Sequence, residues 1–322
     1  MALGEFQLIE RFFRHAPCRA DVRLSVGDDC ALLQPRPGID LAVTVDTLVA
    51  GVHFLSDTDP FGLGHKALAV NLSDLAAMGA EPAWVTLALT LPQSDEAWLE
   101  RFAAGFLALA ECCGVDLVGG DTTRGPLSVT VQAMGYVPRG GGLRRSGARP
   151  GDGVYVTGEL GLGGLGLKQA LRQVAGTDTQ ARRRLERPEP RLQAGALLRD
   201  VASACIDVSD GLAADLGHIL EQSRVAARVD WEALPLPACV ASYVAASGDW
   251  AMPLTAGDDY ELCFTVPPER EAELAGYAER LDCVVSRIGT IEEGAGLKLF
   301  RGGVREDLGG RGYQHFSGSE AP

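Results

Sequence analysis

A stretch without apolar periodicity lies near the middle of the sequence. Its position restricts the chain to folds built from two separate halves. It spans residues 138–153 and reads PRGGGLRRSGARPGDG. Glycine, proline and arginine make up most of it, a composition typical of loops and linkers. The length of 322 residues also exceeds the usual size of one domain, which is about 100–200 residues. We therefore predict two domains, over residues 1–140 and 150–322.

Strand and helix patterns are mixed in both halves. In the first half, apolar periodicity predicts strands at 41–49, 84–92 and 127–138 and helices at 5–15, 62–80 and 94–114. Ser94 or Asp95 is expected to cap the last of these helices, with Gly114 just past its end. The segment VDLVGGDTT is predicted to be a short strand that runs into a glycine turn. The second half contains predicted strands at 154–158 and 260–267, helices at 164–175 and 191–201, and a strand, turn and helix over 205–223. Because strands and helices do not alternate strictly, the pattern favours α+β halves over one doubly wound sheet.

Composition and charge exclude several classes of protein. Hydrophobic residues make up 46% of the chain, too many for a disordered protein. Asp and Glu number 43 against 29 Lys and Arg, and this charge speaks against a protein whose main task is holding nucleic acid. Nucleotides remain possible, because bound metal can neutralise their phosphates. No stretch reaches about 18 uninterrupted apolar residues, so no membrane span is expected.

The N-terminus and the cysteines indicate the cytoplasm. The first residues carry acids early and lack the basic-then-apolar layout of a signal peptide. None of the 8 cysteines forms a C-x-x-C pair, and most lie in apolar surroundings such as AECCGV. We therefore expect buried, reduced thiols in a cytoplasmic protein.

Several aspartates lie among small or apolar residues rather than in charged runs: Asp28, Asp29, Asp46, Asp74, Asp121, Asp207, Asp210, Asp258 and Asp259. A carboxylate in such surroundings is costly unless it is paired, hydrogen-bonded or bound to a cation. Mg²⁺ takes one or two carboxylates together with phosphate oxygens, so a magnesium site for a nucleotide is indicated. Simpler interpretations stay open, since Asp210 can cap a helix and Asp28–Asp29 can form a turn. Neither role explains Asp74, which lies inside an apolar helix.

A glycine pattern offers a different class of function. GLGGLG follows the strand VYVTG, and Asp178 lies at a suitable distance for the dinucleotide fingerprint of an oxidoreductase. The pattern is weak in a chain of 40 glycines. Neither a P-loop nor the protein-kinase motif set occurs. A metal-binding protein without enzymatic activity is a third alternative.

Six motifs in order resemble one enzyme family. They are VGDDCA, VDTLVAGVHF, KALAVNLSDLAAMGA, GGDTTRGP, IDVSDGLAADLGHI and GDDYELCFT. Together they are similar to the thiamine-monophosphate kinase family, within the superfamily of aminoimidazole ribonucleotide synthetase. The resemblance runs from GEFQLI to GYQHF and so covers nearly the whole chain.

The resemblance implies a fold and an activity. The fold would be α+β in two domains, with the N-terminal sheets of two subunits joined in a homodimer and a mixed sheet in the C-terminal domain. The activity would be transfer of the γ-phosphoryl group of ATP to thiamine monophosphate, assisted by several Mg²⁺ ions. Because the acceptor is already an anion, no general base is expected. Another ATP-using enzyme of the superfamily, which activates a different acceptor, is the alternative.

The resemblance also implies the site residues. The metal ligands supply oxygen atoms and are Asp28, Asp29, Thr44, Val45 through its backbone, Asp46, Asp74, Asp121, Asp207 and Asp210. The residues against ATP are Gly120, Asp121, Arg145 and Ser209. The residues on the thiamine side are His53, Asp258 and Tyr313, and the family often has Glu at the position of Asp258. Without the resemblance, Arg145 is an ordinary linker residue, His53 a core residue and Tyr313 an anchor of the tail.

Overall fold

The computed structural model describes residues 4–277 and 279–308. Contacts divide the chain into two compact units. Within the described residues, unit 1 consists of 4–75 and 80–140, and unit 2 consists of 76–79 and the residues from 141 onward. The predicted mixture of helices and strands in both halves is confirmed.

Unit 1 contains a four-stranded sheet covered by helices. Its elements are α1 (Glu5–Phe12), β1 (Val22–Leu24), β2 (Leu32–Leu33), β3 (Ile39–Val49), α2 (Pro60–Ala77, which ends in unit 2), β4 (Glu81–Leu91), α3 (Glu96–Cys113), β5 (Asp116–Arg124) and β6 (Ser128–Pro138). The sheet has the order β3-β6-β4-β5. β6 runs antiparallel to both of its neighbours, whereas β4 and β5 are parallel.

The helix α3 shows how local sequence signals set the ends of an element. The Asp95 carboxylate accepts a hydrogen bond from the Trp98 N–H at 3.1 Å, which satisfies a donor that the helix itself leaves unpaired. Gly114 ends the helix in the left-handed conformation, at φ 65°. Both caps confirm the prediction, with Asp95 rather than Ser94 as the N-terminal cap.

The predicted glycine turn in VDLVGGDTT is wrong. β5 continues through Gly119 and Gly120 to Arg124 and pairs with β4 along this length. A Cβ atom at Gly120 would lie 1.8 Å from the Leu87 carbonyl oxygen. The glycine is therefore required by the close approach of two strands, and a sequence alone does not distinguish this need from a turn.

Unit 2 is built on a seven-stranded sheet. Its elements are β7 (Gly153–Thr157), α4 (Leu162–Ala170), α5 (Thr179–Glu186), α6 (Leu192–Leu198), β8 (Ala204–Asp207), α7 (Leu212–Ser223), β9 (Ala226–Asp230), α8 (Ala238–Ser247), α9 (Met252–Thr255), β10 (Leu262–Val266), α10 (Glu271–Gly276), β11 (Val285–Glu292), β12 (Gly296–Arg301) and β13 (Val304–Glu306). Short 3₁₀ turns lie at Trp231–Ala233 and Pro268–Arg270. The sheet order is β13-β12-β9-β11-β7-β10-β8.

The strand directions in unit 2 contradict the dinucleotide-binding alternative. β7, which precedes GLGGLG, runs antiparallel to both β10 and β11. A dinucleotide-binding unit requires parallel strands joined through the helix. Side chains of β7 alternate between two cores: Val154 and Val156 pack with α7 residues, and Tyr155 packs with residues of α6 and α10.

The expectation of buried thiols is correct for only two cysteines. Cys205 and Cys263 are buried, whereas Cys18, Cys30 and Cys112 are exposed. All of the cysteines lie in the described residues and are free. The apolar neighbours of Cys112 misled the prediction, because this residue stands near the C-terminal end of α3, where the side chain points outward. In the part of the chain that the structure describes, no helix is long and apolar enough to cross a membrane.

Candidate active site

The first group of predicted ligands lies where α2 covers β3. The Thr44 hydroxyl donates a hydrogen bond of 2.5 Å to Oδ2 of Asp74. Thr44 and Asp46 point to the same side of β3, because side chains two residues apart share a face. The structure therefore brings Thr44, Asp46 and Asp74 to one face of the sheet, with Asp46 and Asp74 half-buried.

Asn71 belongs to this group and was not predicted. It is fully buried, and its Oδ1 accepts a hydrogen bond of 3.1 Å from the Asp46 N–H. Its Nδ2 donates to the Ala67 carbonyl at 3.1 Å, which holds the amide in place. Asn71 precedes Asp74 by three residues and so faces the same way along the helix. The available signal was a second polar residue at helical spacing inside the apolar run.

Asp121 lies on the opposite side of the same sheet. The register places it in a row with Ala88, Thr130 and Thr47, whereas Asp46 shares a row with Val131, Leu87 and Gly120. β5 and β3 are also at opposite edges, three strand spacings or about 14 Å apart. Within unit 1, Asp121 is therefore not brought together with Asp46 and Asp74.

Three further predicted residues of unit 1 lie in exposed or half-buried positions. Asp28 and Asp29 are exposed, and the Asp28 carboxylate accepts a hydrogen bond of 2.9 Å from the Asp29 N–H. This is the local turn that the simpler interpretation describes. His53 is half-buried, and its Nδ1 accepts a hydrogen bond of 3.0 Å from the Val49 N–H. A neutral His53 therefore carries its proton on Nε2.

In unit 2 the predicted acidic ligands lie at the end of β8 and just after it. Asp207 is buried, while Ser209 and Asp210 are half-buried in the loop before α7. Gly211 occupies the N-terminal cap position of α7, without a side-chain cap, so the capping alternative for Asp210 is wrong. Asp210 is instead held by its backbone: its N–H donates to Oδ2 of Asp215 at 3.0 Å.

Asp215 is a second residue that the sequence analysis missed. Its Oδ2 also accepts the Gly211 N–H at 3.1 Å, so one buried carboxylate fixes the loop that carries Asp210. Burial, together with the nearby charges of Asp207 and Asp210, raises the pKa of Asp215 to about 8. The carboxylates of Asp207 and Asp210 produce a negative potential that favours a cation at this loop.

Asp258 and Ser209 are directly connected. The Asp258 N–H donates a hydrogen bond of 2.9 Å to the Ser209 carbonyl. Asp258 is half-buried and has φ 67°, in the left-handed region. A residue predicted for the thiamine side and one predicted for the nucleotide side therefore share one backbone contact within unit 2.

Two glycines of GLGGLG bind a carboxylate of this chain through their backbone N–H groups. The Gly161 and Gly163 N–H groups donate to the two oxygens of Asp259, at 2.7 and 3.0 Å. Asp178, the acidic residue of the dinucleotide fingerprint, accepts a hydrogen bond from the Ala181 N–H and caps α5. Because the Asp259 carboxylate already binds the N-terminus of α4, the GLGGLG motif gives no support to a dinucleotide site.

Three predicted residues remain. The Val45 side chain is exposed, on the face of β3 opposite to Thr44 and Asp46. Arg145 is exposed, and its carbonyl accepts a hydrogen bond of 3.3 Å from the Ser223 hydroxyl. Tyr313 lies outside the described residues.

The donor set fits magnesium. Thr44, Asp46 and Asp74 in unit 1 and Asp207 and Asp210 in unit 2 offer oxygen atoms, the hard ligands that Mg²⁺ prefers. Among residues 4–277 and 279–308, no three His, Cys, Asp or Glu side chains lie together as a complete metal site. Mg²⁺ in nucleotide enzymes is held by one or two carboxylates, and substrate phosphates and water complete its coordination. Pairs of carboxylates of this kind suit that arrangement.

Comparison with known proteins identifies the family of the chain. Residues 27–137 match the N-terminal domain of AIR synthase related proteins, and residues 149–302 match the C-terminal domain. The thiamine-monophosphate kinase of Salmonella typhimurium is 49% identical over 98% of this chain and 99% of its own length. A crystal structure of thiamine-monophosphate kinase from Stenotrophomonas maltophilia is 48% identical and covers 93% of this chain and 97% of its own, with a TM-score of 0.86.

More distant structures are also similar. AaThiL complexed with AMPPCP and TMP is 33% identical, with a TM-score of 0.77 over 91% of this chain and 92% of its own. The hydrogenase maturation protein HypE of E. coli, at 20% identity and a TM-score of 0.77, shows the fold alone. By its two domains and by its near-full-length relatives, the chain belongs to the AIR synthase related proteins and, within them, to the thiamine-monophosphate kinase family.

Proposed function

We propose that the protein transfers the γ-phosphoryl group of ATP to thiamine monophosphate, giving thiamine diphosphate and ADP. The observation that carries this proposal is 49% identity to a thiamine-monophosphate kinase over nearly the full length of both chains. The relative AaThiL, solved with the ATP analogue AMPPCP and with TMP, supports the pair of substrates.

The chemistry places few demands on acid–base groups. The acceptor phosphate is already anionic, so no residue needs to remove a proton from it. The obstacles are repulsion between two polyanions and the need for in-line approach, which positioning and opposite charge overcome. Bound Mg²⁺ supplies the opposite charge on the phosphate groups.

This chain's residues have distinct tasks in the proposal. Asp46 and Asp74 hold metal in unit 1, where Asn71 fixes the backbone of Asp46 and Thr44 orients the Asp74 carboxylate. Asp207 and Asp210 hold metal in unit 2. The remaining proposed metal ligands, which add oxygen atoms, are Asp28, Asp29, Asp121, the hydroxyl of Thr44 and the carbonyl of Val45.

Substrate contacts complete the proposal. We assign the nucleotide to Gly120, Asp121, Arg145 and Ser209. We assign thiamine monophosphate to His53, Asp258 and Tyr313. A neutral His53 offers Nε2–H as a donor, because Nδ1 already accepts the Val49 N–H.

A homodimer is the proposed assembly. The edge strand β3 exposes three apolar side chains on one face: Leu41 at 43%, Val43 at 56% and Val45 at 58%. An apolar strip of this kind on a sheet is typical of a surface that another chain covers. The register puts Asp121 on this same face, so a second sheet packed there would lie close to a proposed ligand. Light scattering of wild type and Val43→Asp tests the proposal: the variant is expected to be monomeric, and an unchanged dimer would refute this face.

We also propose a cytoplasmic setting, because the cysteines are free and such thiols persist in a reducing compartment.

The activity is tested by measuring thiamine diphosphate after incubation of purified protein with ATP, thiamine monophosphate and Mg²⁺. We expect product only when all three are present, with one ADP released for each product molecule. Absence of thiamine diphosphate at saturating substrates and metal would refute the proposed function.

A further inference from the structure

Asp259 is a fully buried carboxylate that the proposed reaction does not use. Its Oδ2 accepts the Gly161 N–H at 2.7 Å and its Oδ1 accepts the Gly163 N–H at 3.0 Å. Both N–H groups thereby gain an acceptor, which matters because an unpaired buried N–H group is costly. Asp259 therefore fixes Gly161, which directly precedes α4, and Gly163 in the first turn of α4.

The segment that Asp259 holds packs directly on Asp258. A Cβ atom on Gly163 would lie 2.4 Å from the Asp258 carbonyl oxygen and 2.8 Å from the Asp258 Cβ. No side chain fits between these two backbones. The position of Gly163 therefore limits where Asp258 can lie.

The backbone around Asp259 adopts an unusual conformation. Asp258 and Tyr260 have φ angles of 67° and 50°, a region that residues other than glycine rarely occupy. Such a conformation persists only when its surroundings impose it. Two hydrogen bonds do so on one side: the Asp258 N–H donates to Ser209 at 2.9 Å, and the Tyr260 N–H donates to Val208 at 2.8 Å. On the other side, the hydrogen bonds from Gly161 and Gly163 to the Asp259 carboxylate impose this conformation.

We infer that Asp259 is a positioning residue for the acceptor end of the site. By anchoring Gly161 and Gly163 it holds Gly163 against the backbone of Asp258, and so it fixes the Asp258 carboxylate for thiamine monophosphate. The inference rests on the proposed function. It assigns the glycine motif to the placement of the acceptor and not to the binding of a phosphate group by α4.

Asp259→Asn is the direct test, because asparagine keeps the shape and offers one acceptor for two N–H groups. We expect the KM for thiamine monophosphate to rise about tenfold or more, with less than a threefold change in kcat and in the Kd of AMPPCP. Asp116→Asn is the matched control. The Asp116 carboxylate is also buried and accepts two backbone N–H groups, from Cys18 at 2.9 Å and Arg19 at 2.8 Å, but lies in unit 1. It is expected to lose thermal stability without any change in KM.

Gly163→Ala tests the same contact with Asp259 intact, and decides the question if Asp259→Asn does not fold. The added methyl group has to displace the Asp258 backbone, so the same rise in the KM for thiamine monophosphate is expected. Gly217→Ala is its control, because a Cβ at this helical position of α7 meets nothing within 4 Å.

The outcomes separate this inference from the proposed function. A wild type that forms no thiamine diphosphate refutes the proposed function, and with it the inference. An active wild type whose KM for thiamine monophosphate is unchanged in Asp259→Asn or Gly163→Ala refutes the inference alone. An equal rise of KM in Asp116→Asn also refutes it, because the effect then reflects general destabilisation.

Discussion

The two units support their acidic residues by different means. In unit 1, Asp46 and Asp74 are held by neutral side chains, the amide of Asn71 and the hydroxyl of Thr44, which project from a regular helix and strand. In unit 2, the loops are held by buried carboxylates that accept backbone N–H groups. Neutral supports carry no desolvation cost of charge, whereas buried carboxylates do. Substitution and pH should therefore affect the two units differently.

The largest expected effect is the loss of activity on removing a proposed ligand from unit 1. Asp74→Asn keeps the size of the side chain but removes its charge, so turnover is expected to fall about a hundredfold or more. The melting temperature should change little, because Thr44 can still donate to the amide oxygen. Asp95→Asn is a matched control, since asparagine caps a helix as well as aspartate does. An Asp74→Asn variant that stays active and melts much earlier would show a structural role instead.

A large loss of stability is expected when the neutral support in unit 1 is removed. Asn71→Leu keeps the branched shape, in a larger side chain, but leaves the Asp46 N–H without its acceptor. We expect a loss of about 2 kcal/mol in the free energy of unfolding, together with weaker Mg²⁺ binding by calorimetry. Unchanged stability would mean that the amide of Asn71 is dispensable and that the two units do not differ in this way.

A smaller effect concerns the pH dependence of unit 2. Burial raises the pKa of Asp259 to about 7, even though the hydrogen bonds from Gly161 and Gly163 lower it; Glu261 raises it and Arg184 lowers it. The unfolded value is about 3.9, so between about pH 4 and 7 the folded state binds more protons. The stability contributed by this group therefore falls as pH rises through that window and is constant above it.

Hydrogen exchange of the Gly161 and Gly163 amides, corrected for the intrinsic rate, measures this dependence. Protection is expected to fall between pH 5 and 7 in the wild type and to fall less in Asp259→Asn, where the raised pKa of Asp215 still contributes. An unchanged slope in Asp259→Asn would assign the pH dependence to another group.

In unit 1, the stability contributed by Asp21 depends on pH with the opposite sign to that of Asp259. Burial raises the pKa of Asp21, but hydrogen bonds from Arg19, Trp84 and Tyr136 outweigh it and hold the pKa below its usual value. The stability it contributes is present above about pH 4 and is lost as pH falls through the folded pKa. Asp21→Asn should therefore destabilise unit 1 at pH 7 and have little effect at the lowest pH. Equal destabilisation at both extremes would contradict the assignment.

The smallest expected effect is that of Asp215→Asn. The amide oxygen can still accept the Asp210 and Gly211 N–H groups, and because burial raises the pKa of Asp215 to about 8 the substitution removes little charge at pH 7. We expect a change of less than about 1 kcal/mol in the free energy of unfolding, since the hydrogen bonds are kept. A destabilisation as large as that of Asn71→Leu would erase the contrast between the units.

Sequence patterns predicted the local features well. The caps Asp95 and Gly114 and the strand, turn and helix around Asp207 depend on neighbouring residues, and all were found. Features that depend on residues far along the chain were missed. Asp259 contacts glycines nearly a hundred positions away, and Gly120 is required by a neighbouring strand. No periodicity or spacing encodes such contacts.

The same limit applies to the proposed site. The Asp residues stood out because carboxylates among apolar residues are unusual, but their supports did not. Asn71 and Asp215 look like ordinary polar residues of helices until the fold places them beside Asp46 and Asp210. The opposite faces of Asp46 and Asp121 likewise depend on strand register, which the sequence does not specify.

The most direct test of the account follows the phosphoryl group itself. ATP labelled with ¹⁸O in its γ-phosphoryl group is incubated with the protein, thiamine monophosphate and Mg²⁺, and the products are examined by ³¹P NMR. We predict that the label appears in the terminal phosphoryl group of thiamine diphosphate. Two results would contradict direct transfer to this acceptor. One is label that appears only in inorganic phosphate. The other is release of labelled inorganic phosphate in equal amounts with and without thiamine monophosphate.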